Sequence, residues 1–177
     1  IGKLLLAELS QKQLDERFLE VVNALNTGIH LLDNTEECEE LFGLNVKAAR
    51  KAYAAIAYSA ALQYYHKAGE ILEKGDFSNH MWKQDHELLI NFLNEQAVCE
   101  FLEGDQEIAE QCVQLAVNNA KNAVEKAESY NILIIHYTLQ ARYQEAIASG
   151  KHALEELGII LPEKDYERSR DKEIAKV

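Results

Sequence analysis

Proline is almost missing from this chain: Pro162 stands alone among 177 residues, and glycine occurs only eight times. Little therefore interrupts helix, because these are the two residues that break it most readily. Cysteine is also sparse. Cys38, Cys99 and Cys112 are odd in number and form no C-x-x-C pair, a pattern that excludes a disulfide framework and a structural zinc site and fits a reducing cytoplasm. No apolar run reaches the roughly 18 to 20 residues a membrane helix needs, and the opening IGKLLLAELS carries neither the basic stretch nor the cleavage site of a leader. Positive charge is scarce: 18 Lys and Arg face 30 Asp and Glu, leaving a formal charge of -12. Such a surface repels phosphate backbones and anionic lipid, so neither nucleic acid nor membrane is expected as a partner. Lys47, Arg50 and Lys51 read as a solvated helix face paired with nearby acids. The chain begins without Met and has only Met81, and it reads as a piece of a longer protein.

Motifs that carry chemistry are missing too. There is no G-x-x-x-x-G-K-[ST], G-x-G-x-x-G or G-x-S-x-G, and no H-E-x-x-H or H-x-x-x-H. Nucleotide hydrolysis, serine hydrolase chemistry and a helical zinc site therefore have no anchor. His80 and His86 are six residues apart, which puts them on opposite sides of a helix. His66 reads as a packed or capping imidazole, and His136 and His152 as interface or surface positions. The row Glu36, Glu37, Glu39 and Glu40 marks a wet helix face, not a tuned acid–base pair. Cys99 and Cys112 read as buried core thiols on the two helices of one hairpin. The sequence thus predicts no catalytic residue, no metal and no cofactor, and a chain that is not an enzyme.

What is present is helix, in a repeating arrangement. With 47% hydrophobic and 27% charged residues, the chain has the composition of an ordinary globular domain. Three times an alanine is followed four residues on by a variable position and three further on by a second alanine: Ala61/Tyr65/Ala68, Ala109/Val113/Ala116 and Ala146/Gly150/Ala153. Small residues at those points let the second helix of a hairpin press close to its neighbours. The first two sets are 48 residues apart and the next two 37, against about 34 in a tetratricopeptide unit. The expected fold is all-α, an α-solenoid of tetratricopeptide-like antiparallel helix hairpins wound as a right-handed superhelix. Its domain covers 1–161, with hairpins at about 1–32, 35–74, 84–127 and 129–158. Ser10 is the expected cap of a helix whose stripe is Leu14, Phe18, Val21, Val22, Leu25 and Ile29, and Asn34 or Thr35 caps the next at about 35–54. Residues 57–73 return, and QEIAEQCVQLAVNNAKNAVEKA is read as one later return helix. The stretch 75–86 is an insertion, either a core plug or a pocket lid carrying Phe77, Met81 and Trp82. In 163–177, ten of fifteen residues are charged, five of each sign, so 162–177 reads as a charged tail or linker helix.

Aligning the units on their alanines predicts an inner wall of Val46, Arg50, Tyr53, Asn91, Asn94, Val98, Phe101, Asn131, Ile135 and Thr138. Asn amides there could hold an extended peptide, with Tyr53 and Phe101 as apolar anchors; the same residues could equally meet a helix of the same parent chain. Arg50 is the only base among them, which disfavours capture of a C-terminal carboxylate.

The segments IGKLLLAELSQKQLDERFLEVVNALNTGIHLL and ELFGLNVKAARKAYAAIAYSAALQYYHKAGEIL, followed by Trp82-x-x-x-His86-x-Leu88 and FLEGDQEIAEQ, resemble the helical region of very large bacterial signalling ATPases. The most specific elements are IG-x-LLL with N-A-L-N, and N-x-x-A-x-x-K-A-x-x-x-x-A-Y-x-x-A-L. The resemblance covers roughly 1–161. It implies a position between an upstream nucleotide-binding module, often behind a serine/threonine kinase, and downstream GAF, histidine kinase or cyclase modules. From that position follows a cytoplasmic, non-enzymatic connector working through protein contacts, with neighbouring modules of the same chain or a peptide or protein as partner. A small-molecule sensor with its pocket near 75–86 is the alternative. The resemblance brings no catalytic residue, because the phosphate-binding loop and phosphoacceptor histidine belong to other domains.

Overall fold

The computed structural model describes residues 16–161 and residue 174; Ser10 and Leu14 lie outside them. The described residues contain helices and turns and no strand. In chain order the helices are α1 (Phe18–Asn26), a 3-10 turn (Ile29–Leu31), α2 (Thr35–Ala54), α3 (Tyr58–Leu72), α4 (Phe77–Gln84), α5 (His86–Glu103), α6 (Gln106–Asn119), α7 (Ala123–Leu139) and α8 (Tyr143–Glu156). The chain divides into two compact units, Ile1–Cys112 and Val113–Val177.

In the first unit, α2 starts where its sequence provides a cap. The Asn34 carboxamide oxygen accepts from the Glu37 amide at 2.9 Å, meeting one of the free donors of the first turn, while Glu36 and Glu37 favour the positive end of the helix dipole. α1 buries Phe18, Val21 and Val22 and packs on α2. Between these helices Asn26 and Asn45 exchange two amide hydrogen bonds at 2.8 Å each, and Asn45 Nδ2 also donates to Leu41 O at 2.9 Å. A buried amide so satisfied fixes one register between the two helices. α2 and α3 form a hairpin along an alanine seam: Ala48, Ala49, Ala61 and Ala68 are all 0% exposed. Beside it is an aromatic cluster, with Phe42 meeting Phe92 at 5.3 Å and Phe77 at 6.3 Å, and Tyr65 meeting Phe92 at 6.0 Å between centroids. The inserted stretch is thus a short helix, α4, whose Phe77 and Met81 are buried.

In the second unit, α7 and α8 form an antiparallel hairpin. Arg142 lies over the Tyr137 ring at 4.4 Å near the turn, and Lys126 meets Glu156 at 2.9 Å at the far end. Ser129 on α7 and Ala146, Ser149 and Ala153 on α8 are the small buried residues of this pair. Here the structure differs from the expected boundaries, which ran a return helix through residue 127 and began the last hairpin at 129. α6 ends at Asn119 and α7 begins at Ala123. The reason is a cap: the Asn122 side chain accepts from the Val124 and Glu125 amides at 3.0 Å, and Glu125 reaches back to accept from the Lys121 amide at 2.8 Å. That N-x-x-E arrangement makes a helix start energetically better than continuation.

Four helix ends close in the same way. In each, an amide donates to the carbonyl five residues earlier: Ala57 to Ala52 at 3.0 Å, Asp105 to Glu100 at 2.9 Å, Arg142 to Tyr137 at 2.8 Å, and Ile159 to Leu154 at 2.8 Å. The residue before each donor is left-handed, Ile56 at φ 60°, Gly104 at φ 99°, Ala141 at φ 59° and Gly158 at φ 77°. This is the Schellman closure of a helix end, for which glycine is the unstrained choice. Ile56 is β-branched and holds a conformation that costs such residues of order 1–3 kcal/mol. Ile56→Gly and Ala141→Gly are therefore expected to raise stability, by roughly 1 kcal/mol and somewhat less respectively. Urea unfolding that showed either variant destabilised would refute the strain assignment.

Candidate interaction site

Arg50 and Tyr53 stand one turn apart on α2, and Glu95 and Val98 likewise on α5; between them lies Tyr65 of α3. These five residues line a cavity of about 200 Å³. Arg50 Nε lies 3.0 Å from Glu95 Oε1 and 2.9 Å from Oε2, and the Tyr65 hydroxyl donates to Glu95 Oε2 at 3.1 Å. Both members of the ion pair are substantially exposed, so it contributes at most about 1 kcal/mol. Its larger effect is on binding character: the Glu95 carboxylate takes up the Nε donor of the guanidinium. Burial, and then the charge of Glu95, hold the Tyr65 phenol far above the usual tyrosine range, so it remains a donor to that carboxylate. Tyr53, 40% exposed, leans on Tyr58 at 5.3 Å and supplies the open aromatic wall.

Of the ten residues predicted for an inner wall, Arg50, Tyr53 and Val98 meet at this cavity. Asn91 is exposed and Asn94 half-buried on the same helix, and the Asn94 Oδ1 atom is buried with no hydrogen-bond partner. Val46 and Phe101 are corrections. They are 1% and 6% exposed, because the α2 and α5 faces that carry them turn into the core, and neither can meet a partner while the fold is intact. Asn131, Ile135 and Thr138 belong to α7 in the second unit and are exposed; the Thr138 hydroxyl donates to Ile134 O at 2.6 Å, so its proton is already engaged.

Tyr65 and Glu95 were not singled out from the sequence. Tyr65 was legible only as the bulky position between Ala61 and Ala68, and Glu95 only as one acid among many. Equally unread was the pair His66–Glu100, where Nε2 lies 2.7 Å from Oε1 of a carboxylate whose side chain is 3% exposed. Gln96 Nε2 donates to the same oxygen at 3.3 Å, which helps to offset the cost of burying that charge.

The cysteines are buried and unbridged. Burial first, then neighbouring carboxylates, Glu100 foremost, push the Cys99 and Cys112 thiols up to about 12. They stay protonated at neutral pH and are poor nucleophiles. Among the described residues no group of three His, Cys, Asp or Glu side chains could hold a metal ion, and no helix is long and apolar enough to cross a membrane. A second cavity, about 390 Å³, lies between the start of α2 and the α3–α4 junction and includes Cys38, Lys74, Phe77 and His80.

No protein-family model matches the chain, and no solved structure matches it. It is 27% identical over 165 residues to a protein of Dictyostelium discoideum named hybrid signal transduction histidine kinase G. That alignment takes in 86% of this chain and spans 5% of the length of the relative.

His136 on α7 is buried, and desolvation lowers its pKa from the ordinary 6.5. The unfolded chain therefore takes up a proton at this residue before the folded chain does, so this residue lowers stability as pH falls from about 6.5 toward the folded value. His136→Gln is expected to flatten that part of the stability–pH curve. An unchanged slope between pH 7 and 5 would show that other groups set it.

Proposed function

We propose that this chain is a tetratricopeptide-like solenoid segment within a larger signalling protein, working in the cytoplasm as a non-enzymatic contact module that joins or relays between other modules. The observation that carries the reading is the burial of all six repeat alanines in a fold of helices among the described residues, since small residues at helix contacts are what repeated hairpins need to pack closely and offer surface for contact. The similarity to a short stretch of a hybrid histidine kinase supports the signalling setting. The α2–α5 cavity is the contact point, with Tyr53 and Val98 as its apolar wall. This reading favours protein partners over nucleic acid, for which the charge of -12 is unsuited.

Tyr53→Ala should weaken association with the flanking modules of the parent protein about tenfold, measured by calorimetry on separately purified pieces. Equal affinity for variant and original would remove the cavity from the account. A small-molecule sensor is a second reading, favoured by the 390 Å³ cavity beside α4. The burial of Phe77 and Met81 fits a core plug better than a lid. A metabolite-dependent change in Trp82 fluorescence would reverse that preference.

A further inference from the structure

The cavity of about 390 Å³ between the start of α2 and the α3–α4 junction falls within the roughly 300–1,000 Å³ of sites that enclose a small molecule. Its lining belongs wholly to the first unit. The apolar part is fixed: Cys38 and Phe77 are buried, and the Phe77 ring meets Phe42 at 6.3 Å. In the α2–α5 cavity Arg50, Tyr65 and Glu95 serve one another. Here the opposite charges come from two separate segments, Asp33 from the approach to α2 and Lys74 from the residues that follow α3. Among the described residues, neither the Lys74 ammonium nor the Asp33 carboxylate has an ion-pair partner. Lys74 is half-buried. An ammonium that has lost part of its water without gaining an acid carries a cost that an incoming carboxylate removes. The other charged lining groups are engaged: Asp76 accepts from Asn79 Nδ2 at 2.5 Å, and His80 lies 3.9 Å from Glu39 and stacks on Phe77 at 6.2 Å.

A simple anion drawn to Lys74 also meets the carboxylates of Asp33 and Asp76, and a simple cation drawn to those carboxylates meets Lys74. A molecule carrying both charges satisfies both segments at once. Granted the small-molecule reading above, we propose that this cavity binds a free α-amino acid with an apolar side chain, its carboxylate on Lys74, its ammonium on Asp33 and its side chain against Phe77 and Cys38. The Thr35 hydroxyl, also in the lining, is a further hydrogen-bonding group for the carboxylate. The burial of Phe77 and Met81 on α4 makes that helix a fixed floor of the site, so binding needs no lid.

The test is calorimetric titration of the whole chain with L-leucine, L-methionine and L-phenylalanine, beside two leucine analogues: 4-methylpentanoate, which lacks the ammonium, and 3-methylbutylamine, which lacks the carboxylate. Each analogue should bind about tenfold more weakly than leucine, the loss of one charge-assisted contact. Lys74→Met should weaken leucine and 4-methylpentanoate alike. Asp33→Asn should weaken leucine about tenfold and leave 4-methylpentanoate as tight or tighter, a split that damage to the fold would not produce. Circular dichroism checks that both variants are folded, and Asp33, at an exposed position, serves if Lys74→Met is not. Equal affinity for leucine and 4-methylpentanoate, or leucine binding indifferent to both substitutions, would overturn the zwitterion site. So would the absence of binding by all three amino acids at millimolar concentration. A Trp82 response to some other metabolite would then leave the small-molecule reading standing, and silence there would end that reading too.

Discussion

Phe42→Ala is expected to cost about 3–5 kcal/mol of folding stability, the range for deleting a fully buried aromatic ring. Phe42 is 0% exposed and touches rings from two other helices, Phe77 of α4 at 71° and Phe92 of α5 at 64°. Edge-on pairs of this kind add about 0.5–1.5 kcal/mol beyond area burial. Because domains of this size are stable by only about 5–15 kcal/mol, the loss would bring the first unit close to unfolding at ordinary temperature. Loss should also free α4, whose Phe77 leans on that ring. The check is urea unfolding followed by far-ultraviolet circular dichroism, together with hydrogen exchange across 77–84. A cost below about 1 kcal/mol would show that the cluster relaxes around the gap and does not organise the core.

Ala61→Leu should cost about 1–3 kcal/mol by overpacking. Ala61 is 0% exposed, as are Ala48 and Ala49 on the facing helix, so three extra carbons have no space unless α2 and α3 move apart. Moving them would disturb the turn at Ile56 and the placement of Arg50 and Tyr53 along α2. The same substitution at the exposed neighbouring position, Gln63→Leu, should change stability by less than about 0.5 kcal/mol. Comparable midpoints for the two variants would mean that the alanine pattern does not report close helix approach.

Much of the helical layout was legible because its signals are local. The expected helix at 35–54 matches α2, and the return expected over 57–73 matches α3, since the Asn34 cap starts the one and a tight turn separates the two. All six repeat alanines are buried, as their spacing required. The break between α6 and α7 was also locally encoded, in Asn122 and Glu125, but helix-favouring residues on both sides masked it. Among wall positions the failures were Val46 and Phe101. Periodicity assigns residues to faces of a helix but cannot say which face meets solvent once a helix is covered on several sides.

From residue order alone came the all-helical class, the approximate ends of α2 and α3, the recurrence of buried small residues, and the net charge of -12. These depend on propensity, capping and net charge, all properties of neighbours along the chain. Only the folded arrangement decided that Arg50 is spent on Glu95 across 45 residues, that Tyr65 completes the cavity, and that Glu100 is buried against His66. Pairings between distant helices depend on how closely their backbones approach and on which groups lose water together. No local pattern carries that information.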